Sequence, residues 1–216
     1  MRLLPSTLLA SLLVVGSLTA NASIIPYGNV GQVAPQTSLT ATETGEVIGY
    51  FVWASAADDD SVRLVDLTTG TVGSYGLANH TTPEGAAVDL GFVNAGDHLV
   101  FELYNYATNQ LFASDPASSS DGINHAYTQQ FEGGILNGQY FPAGVYIGME
   151  DLSYKVSDLD YNDDTFVFTN ISSTLPKYDP NAGTPPPAPV SEPATLLLLG
   201  TGALGLVGAL RKKFTL

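Results

Sequence analysis

The chain has 216 residues, no cysteine and a formal net charge of −14. Residues 23–190 hold 20 of the 21 acidic residues but three of the seven basic ones, so this segment has a net charge of about −17. Such a charge repels polyanions, and we expect no nucleic-acid partner. The lack of cysteine excludes disulfides and a lipid-anchored cysteine.

The N-terminus has the three parts of a secretory signal peptide. Met1 and Arg2 form a basic start, residues 8–15 are apolar, and Ala20-Asn21-Ala22 provides small residues for cleavage. The alternative is a buried first helix of a cytosolic protein. We predict a signal peptide over residues 1–22 and an exported protein.

The middle of the chain has the pattern of an all-β domain. Short runs rich in β-branched and aromatic residues occur at 46–54, 61–67, 98–106, 145–149 and 165–169. Turn sequences separate them, among them Asp58-Asp59-Asp60 and Asn137-Gly138. We predict one β-sandwich or jelly-roll domain over residues 23–178.

An acidic segment follows the run at 145–149. Oxygen-bearing side chains alternate at Asp158, Asp160 and Asn162, a pattern typical of calcium loops, because Ca²⁺ takes about six to eight oxygen ligands. Asp163 stands where an EF-hand has its glycine, so a closing carboxylate would have to come from an adjacent strand end. The alternative is a solvated turn whose side chains accept from backbone N–H groups. We predict a calcium site formed by Glu150, Asp151, Asp158, Asp160, Asn162 and Asp164.

The same segment resembles the C-terminal signature of an exported bacterial domain of unknown function. Gly148-Met149-Glu150-Asp151-Leu152, followed by residues 157–168, is similar to that domain's pattern of Phe-Glu-Asp-Leu and then Ser-Asp-x-Asp-Tyr-Asn-Asp, with Met149 in place of the phenylalanine. The resemblance covers about twenty residues. It implies an extracellular context and a suspected calcium site.

The sequence gives little support to catalysis. His80, His98 and His125 are scattered and match no zinc spacing, and we expect them in loops or at a sheet surface. A carboxylate pair of the glycosidase type can always be drawn from so acidic a chain. We therefore predict that the protein is not an enzyme.

The tyrosines suggest an alternative function. They include Tyr104, Tyr106, Tyr127, Tyr140, Tyr146 and Tyr161. Exposed rings of this kind can stack on sugars, although tyrosine is also an ordinary strand residue. A carbohydrate-binding module is therefore the second hypothesis.

A proline-rich linker and an apolar tail end the chain. Residues 179–190 favour an extended polyproline conformation. Residues 194–210 are apolar or small, about long enough to span a bilayer, and Arg211, Lys212 and Lys213 form a basic stop. We predict a transmembrane helix with a cytoplasmic C-terminus, the alternative being a buried helix.

Residues 191–216 resemble the PEP-CTERM sorting signal of Gram-negative bacteria. Ser191-Glu192-Pro193 stands for the Pro-Glu-Pro-like motif, with serine in place of the first proline, and the apolar stretch and basic end follow in order. The resemblance implies that a membrane-embedded, exosortase-type enzyme recognises and removes the tail.

Together these features predict a non-catalytic protein of the cell envelope or extracellular matrix, stabilised by calcium. It would be held briefly in the inner membrane by its C-terminal helix and then reside at the cell surface or outside the cell.

Overall fold

Two antiparallel β-sheets pack face to face in the computed structural model, which describes residues 24–174. The predicted signal peptide, linker and sorting tail lie outside the described residues. The described strands are β1 (Ser38–Ala41), β2 (Gly45–Ala54), β3 (Asp60–Asp66), β4 (Thr71–Val72), β5 (Ala87–Val93), β6 (His98–Asn105), β7 (Gln110–Ala113), β8 (Ala126–Phe131), β9 (Gly134–Leu136), β10 (Gln139–Phe141), β11 (Gly144–Met149), β12 (Asp164–Phe168) and β13 (Ile171–Thr174).

The first sheet has the order β13-β1-β6-β3-β4, and β7 also pairs with β6. The second has the order β5-β2-β12-β11-β8, and β9 pairs with β10 in a separate hairpin. One short 3-10 helix, Pro116–Ser118, follows β7. The all-β prediction is confirmed, and each of the five predicted runs contains a strand.

Aromatic side chains fill the space between the sheets. Phe101 on β6 stacks on Phe168 on β12 with ring centroids 3.9 Å apart, and both side chains are fully buried. Phe166 lies beside Phe168 in the same apolar cluster. Because β6 and β12 belong to different sheets, this contact joins the two layers of the sandwich.

The second sheet is also covered on its outer face. Tyr146 on β11 and Val167 on β12 pack with Phe141 of the β9–β10 hairpin and with Ile24 and Ile25 of the N-terminal segment. Every residue of β11 and β12 is consequently buried. The residues next to the ends of these two central strands are therefore held in fixed positions.

No helix within residues 24–174 is both long enough and apolar enough to cross a bilayer.

We expect Phe168→Ala to lower the free energy of unfolding by about 3–5 kcal/mol, because it removes a buried aromatic ring and leaves a cavity between the sheets. Urea unfolding measures the loss. The control is Phe92→Ala, since Phe92 lies on β5 with 65% of its side chain exposed. That control should change stability by less than about 0.5 kcal/mol. Equal effects of the two variants would contradict the assignment of the core.

Candidate metal centre

The acidic residues meet at one end of the sandwich because several strands begin or end there. Met149, the last residue of β11, pairs with Asp164, the first of β12, and Asp164 also pairs with Ala54 at the end of β2. In the other sheet, Asp60 at the start of β3 pairs with Asn105 at the end of β6. The connection over residues 150–163 therefore leaves and re-enters the sheet at this end.

Three carboxylates of this connection converge. Glu150, Asp158 and Asp160, hereafter the loop cluster, each offer one carboxylate oxygen, and these atoms lie within 4.8 Å of one another. Glu150 is fully buried, Asp160 is half-buried and Asp158 is exposed. Asn162 lies beside them, since its backbone N–H donates to Asp160 Oδ1 at 3.1 Å. This is an oxygen-only ligand set open to solvent on one side, which suits a hard cation such as Ca²⁺.

The three carboxylates converge because successive residues of the loop face alternately an apolar cluster and Glu150. Leu159 and Tyr161 have positive φ angles of 55° and 58°, and their side chains are buried in an apolar cluster with Tyr27 and Ala34. The alternate residues Asp158 and Asp160 lie near Glu150 instead. The loop thus separates an apolar side, which is anchored in the fold, from a polar side, which carries the carboxylates.

Glu150 is the centre around which the loop is wrapped. Its carboxylate accepts hydrogen bonds from the Ser157 hydroxyl, from Leu159 N at 3.3 Å and from Tyr161 N. Burial raises the pKa of Glu150, the hydrogen bonds from Ser157 and Tyr161 oppose that shift, and the nearby aspartates of the loop cluster raise the pKa further. A carboxylate next to the end of β11 therefore holds the loop by hydrogen bonds, and its closing of a calcium site stays a prediction.

Gly148 permits the close approach of the loop to β11. A Cβ at this position would lie 2.1 Å from the carbonyl oxygen of Tyr161. Any side chain larger than hydrogen would push the loop away from the strand.

Asp151 and Asp164 are part of a different group. They lie with Asp58, Asp60 and Asp163, and these five residues are hereafter the buried cluster. Successive residues at a strand end project in opposite directions, so Glu150 and its neighbour Asp151 face different groups. The structure thus places three of the six predicted ligands in the loop cluster, with Asn162 beside it, and two in the buried cluster. Their binding of calcium stays a prediction.

Sequence reasoning missed Asp58, Asp60 and Asp163. The run Asp58-Asp59-Asp60 reads as a turn, and the turn does connect β2 to β3. Its approach to Asp163 is visible in backbone hydrogen bonds from Ser55 N and Ala56 N to the Asp163 carbonyl, at 2.9 and 3.2 Å. Only the pairing of β2 with β12 brings these distant acidic runs together.

Comparison with known protein families gives a match in the C-terminal part of the chain. The family model described as the PEP-CTERM protein-sorting motif matches residues 189–213. The chain carries a PEP-CTERM sorting motif. The matched range includes the predicted motif Ser191-Glu192-Pro193 and the basic stop, Arg211, Lys212 and Lys213. No curated protein matches the chain.

The PEP-CTERM motif implies an exported protein that passes through the membrane. It also supports sorting to the cell envelope by an exosortase-type system.

The side chains of His80 and His125 are paired with carboxylates that belong to neither cluster. His80 is exposed and contacts Asp59 Oδ1 at 2.8 Å. His125 lies in a loop, as expected, but is fully buried, with Nε2 at 3.0 Å from Asp121 Oδ1. Burial lowers the pKa of His125, and its contact with Asp121 opposes that shift.

The tyrosines do not form a single platform. Tyr146 and Tyr161 are buried and cannot meet a sugar. Tyr75, Tyr104 and Tyr106 do form a connected group on the first sheet, with centroid separations of 5.7 Å for the first pair and 5.0 Å for the second.

We expect Tyr161→Phe to lower the free energy of unfolding by about 1–3 kcal/mol, because the buried Ala34 N–H, which donates to Tyr161 Oη at 2.7 Å, would lose its acceptor. Chemical denaturation measures the difference. The matched control is Tyr154→Phe, which changes a ring that is 49% exposed and should have little effect. A neutral Tyr161→Phe would show that this bond does not anchor the loop.

Proposed function

We propose that the chain is a non-catalytic protein of the cell envelope or extracellular matrix whose β-sandwich is stabilised by calcium at the loop cluster. An exosortase-type enzyme is its processing partner, and its C-terminal helix holds it briefly in the inner membrane before it reaches the cell surface or the exterior.

The convergence of Glu150, Asp158 and Asp160 within 4.8 Å is the observation that carries the calcium proposal. Three carboxylate oxygens at this separation repel one another unless a cation or protons lie among them. Consistent with that repulsion, burial together with the charge of Asp158 raises the pKa of Asp160. Calcium would remove the repulsion and fix the loop against β11.

The arrangement of the histidines supports a non-catalytic role. His80 is paired with a carboxylate at the surface, and His125 is enclosed in the fold. Among residues 24–174, neither imidazole is hydrogen-bonded to a serine or threonine hydroxyl that it could activate.

Thermal unfolding in millimolar calcium and in EDTA tests the proposal. Calcium should raise the midpoint, because a ligand at 100 times its dissociation constant stabilises the native state by about 2.7 kcal/mol. Asp158→Asn combined with Asp160→Asn should reduce this increment while leaving the unfolding curve in EDTA nearly unchanged.

The control is Glu46→Gln combined with Glu132→Gln, which removes two negative charges from exposed positions elsewhere. It should keep the full calcium increment. If the two double variants respond to calcium alike, or if the wild type shows no shift, calcium does not act at the loop cluster.

A carbohydrate-binding module is the second candidate, and the group of Tyr75, Tyr104 and Tyr106 favours it. Tyr106 is 49% exposed, and the Arg63 guanidinium lies 4.6 Å from the ring centroid of Tyr75. Arg63 in turn pairs with Glu102 at 2.7 Å. Aromatic rings beside charged hydrogen-bonding groups can stack on a sugar and fix its hydroxyls.

Binding of the purified chain to exopolysaccharide tests this candidate. Tyr104→Ala combined with Tyr106→Ala should weaken binding by about tenfold or more, because each lost stacking contact is worth about 0.5–1.5 kcal/mol. Tyr154→Ala, which changes an exposed ring elsewhere, should bind like the wild type. An absence of binding by the wild type would eliminate the candidate.

A further inference from the structure

The buried cluster concentrates negative charge in the interior. The exposed fraction is 1% for Asp60, 3% for Asp151 and 0% for Asp164. Asp58 and Asp163 complete the group and are half-buried. The β2–β3 connection, the end of β11 and the start of β12 bring these five carboxylates to the same end of the sandwich.

Some of these oxygens have no hydrogen-bond partner. Within residues 24–174, both carboxylate oxygens of Asp164 and Oδ1 of Asp60 are buried without one. A buried polar group of this kind is strongly unfavourable, and native proteins satisfy nearly all of them. The described residues 24–174 therefore leave these oxygens without a donor from outside the cluster.

The basic side chains of the described residues are engaged elsewhere or lie outside the cluster. Arg63 pairs with Glu102, His80 with Asp59 and His125 with Asp121. Lys155 and His98 are exposed, and within residues 24–174 no ion pair involves a member of the buried cluster. The charge is therefore not balanced by the described part of the chain.

Two asparagines support the cluster from outside. Asn105 Nδ2 donates to Asp58 Oδ2 at 2.9 Å and to the Asp151 carbonyl at 3.1 Å. Asn79 Nδ2 donates to the Asp58 carbonyl at 2.9 Å and to Asp60 Oδ2 at 3.3 Å. Oriented second-layer amides that leave other carboxylate oxygens free are a usual feature of metal sites.

The electrostatics agree with this geometry. Burial, followed by the charge of the neighbouring Asp151, raises the pKa of Asp60 to about 8. Burial, followed by the charges of Glu150 and Asp151, raises the pKa of Asp163 to about 8. Burial also raises the pKa of Asp164 well above its usual range.

We propose that the buried cluster, Asp58, Asp60, Asp151, Asp163 and Asp164, is a second divalent-cation site, adjacent to the loop cluster and filled by calcium. Calcium fits better than magnesium, because magnesium keeps several waters and usually takes one or two carboxylates, whereas calcium accepts many carboxylate oxygens in irregular geometry. This site goes beyond the proposed function, which requires calcium only at the loop cluster.

Calcium stoichiometry tests the second site. The full chain, purified in a mild detergent and stripped with EDTA, is titrated with CaCl₂ by isothermal calorimetry. The wild type should bind two ions per chain. Asp60→Asn combined with Asp164→Asn should bind one, and Asp158→Asn combined with Asp160→Asn should also bind one.

Failure of the second site and failure of the loop cluster to bind calcium give different results in this titration. If the Asp60/Asp164 double variant binds as many ions as the wild type, the second site is wrong, whatever happens at the loop cluster. If only that variant loses an ion and the Asp158/Asp160 double variant loses none, the second site stands and the loop cluster does not bind calcium.

Unfolding of the same variants in EDTA provides an independent readout. The Asp60/Asp164 double variant should be at least as stable as the wild type in EDTA, because each amide removes a buried like charge and can donate to a remaining carboxylate. Calcium should also increase the stability of this variant by less than it increases that of the wild type. A variant that fails to fold in EDTA would overturn the proposal, since the carboxyl groups would then stabilise the fold by sharing protons.

Discussion

The antiparallel pairing of β11 with β12 is the constraint on which the acidic end of the molecule depends. These strands are buried on both faces, so their register is fixed by the core and not by the loop that joins them. The register places Met149 opposite Asp164, and both ends of the acidic loop therefore emerge together. Apolar packing thus forces negative charges into proximity that they would not adopt by themselves.

The carboxylates of the two clusters differ in their hydrogen bonds and in their exposure to solvent. In the loop cluster, Glu150 receives hydrogen bonds from the loop itself, and solvent reaches Asp158. In the buried cluster, the side chain of Asp164 has no hydrogen-bond partner among residues 24–174 and no exposure to solvent. The first arrangement leaves its carboxylates partly solvated, whereas the second buries carboxylates without a basic partner among residues 24–174, which is costly for charged groups.

The sequence was sufficient for the parts that depend on local pattern. The aromatic and β-branched runs at β2, β6 and β12 identified central strands, because such strands are buried whatever their neighbours. Strands such as β5 and β8 contain glycine or glutamine and exist through pairing with those central strands, so local pattern did not show them. The involvement of Asp58 and Asp60 depended on sheet topology, which brings together residues that are far apart in the chain.

Anomalous diffraction from crystals grown in calcium tests the central claim most directly. The account predicts two anomalous peaks at the same end of the sandwich. One should lie beside Glu150, Asp158 and Asp160, and the other among Asp60, Asp151 and Asp164. The absence of a peak from both positions in well-ordered crystals would contradict the claim that cations balance the charge of this end.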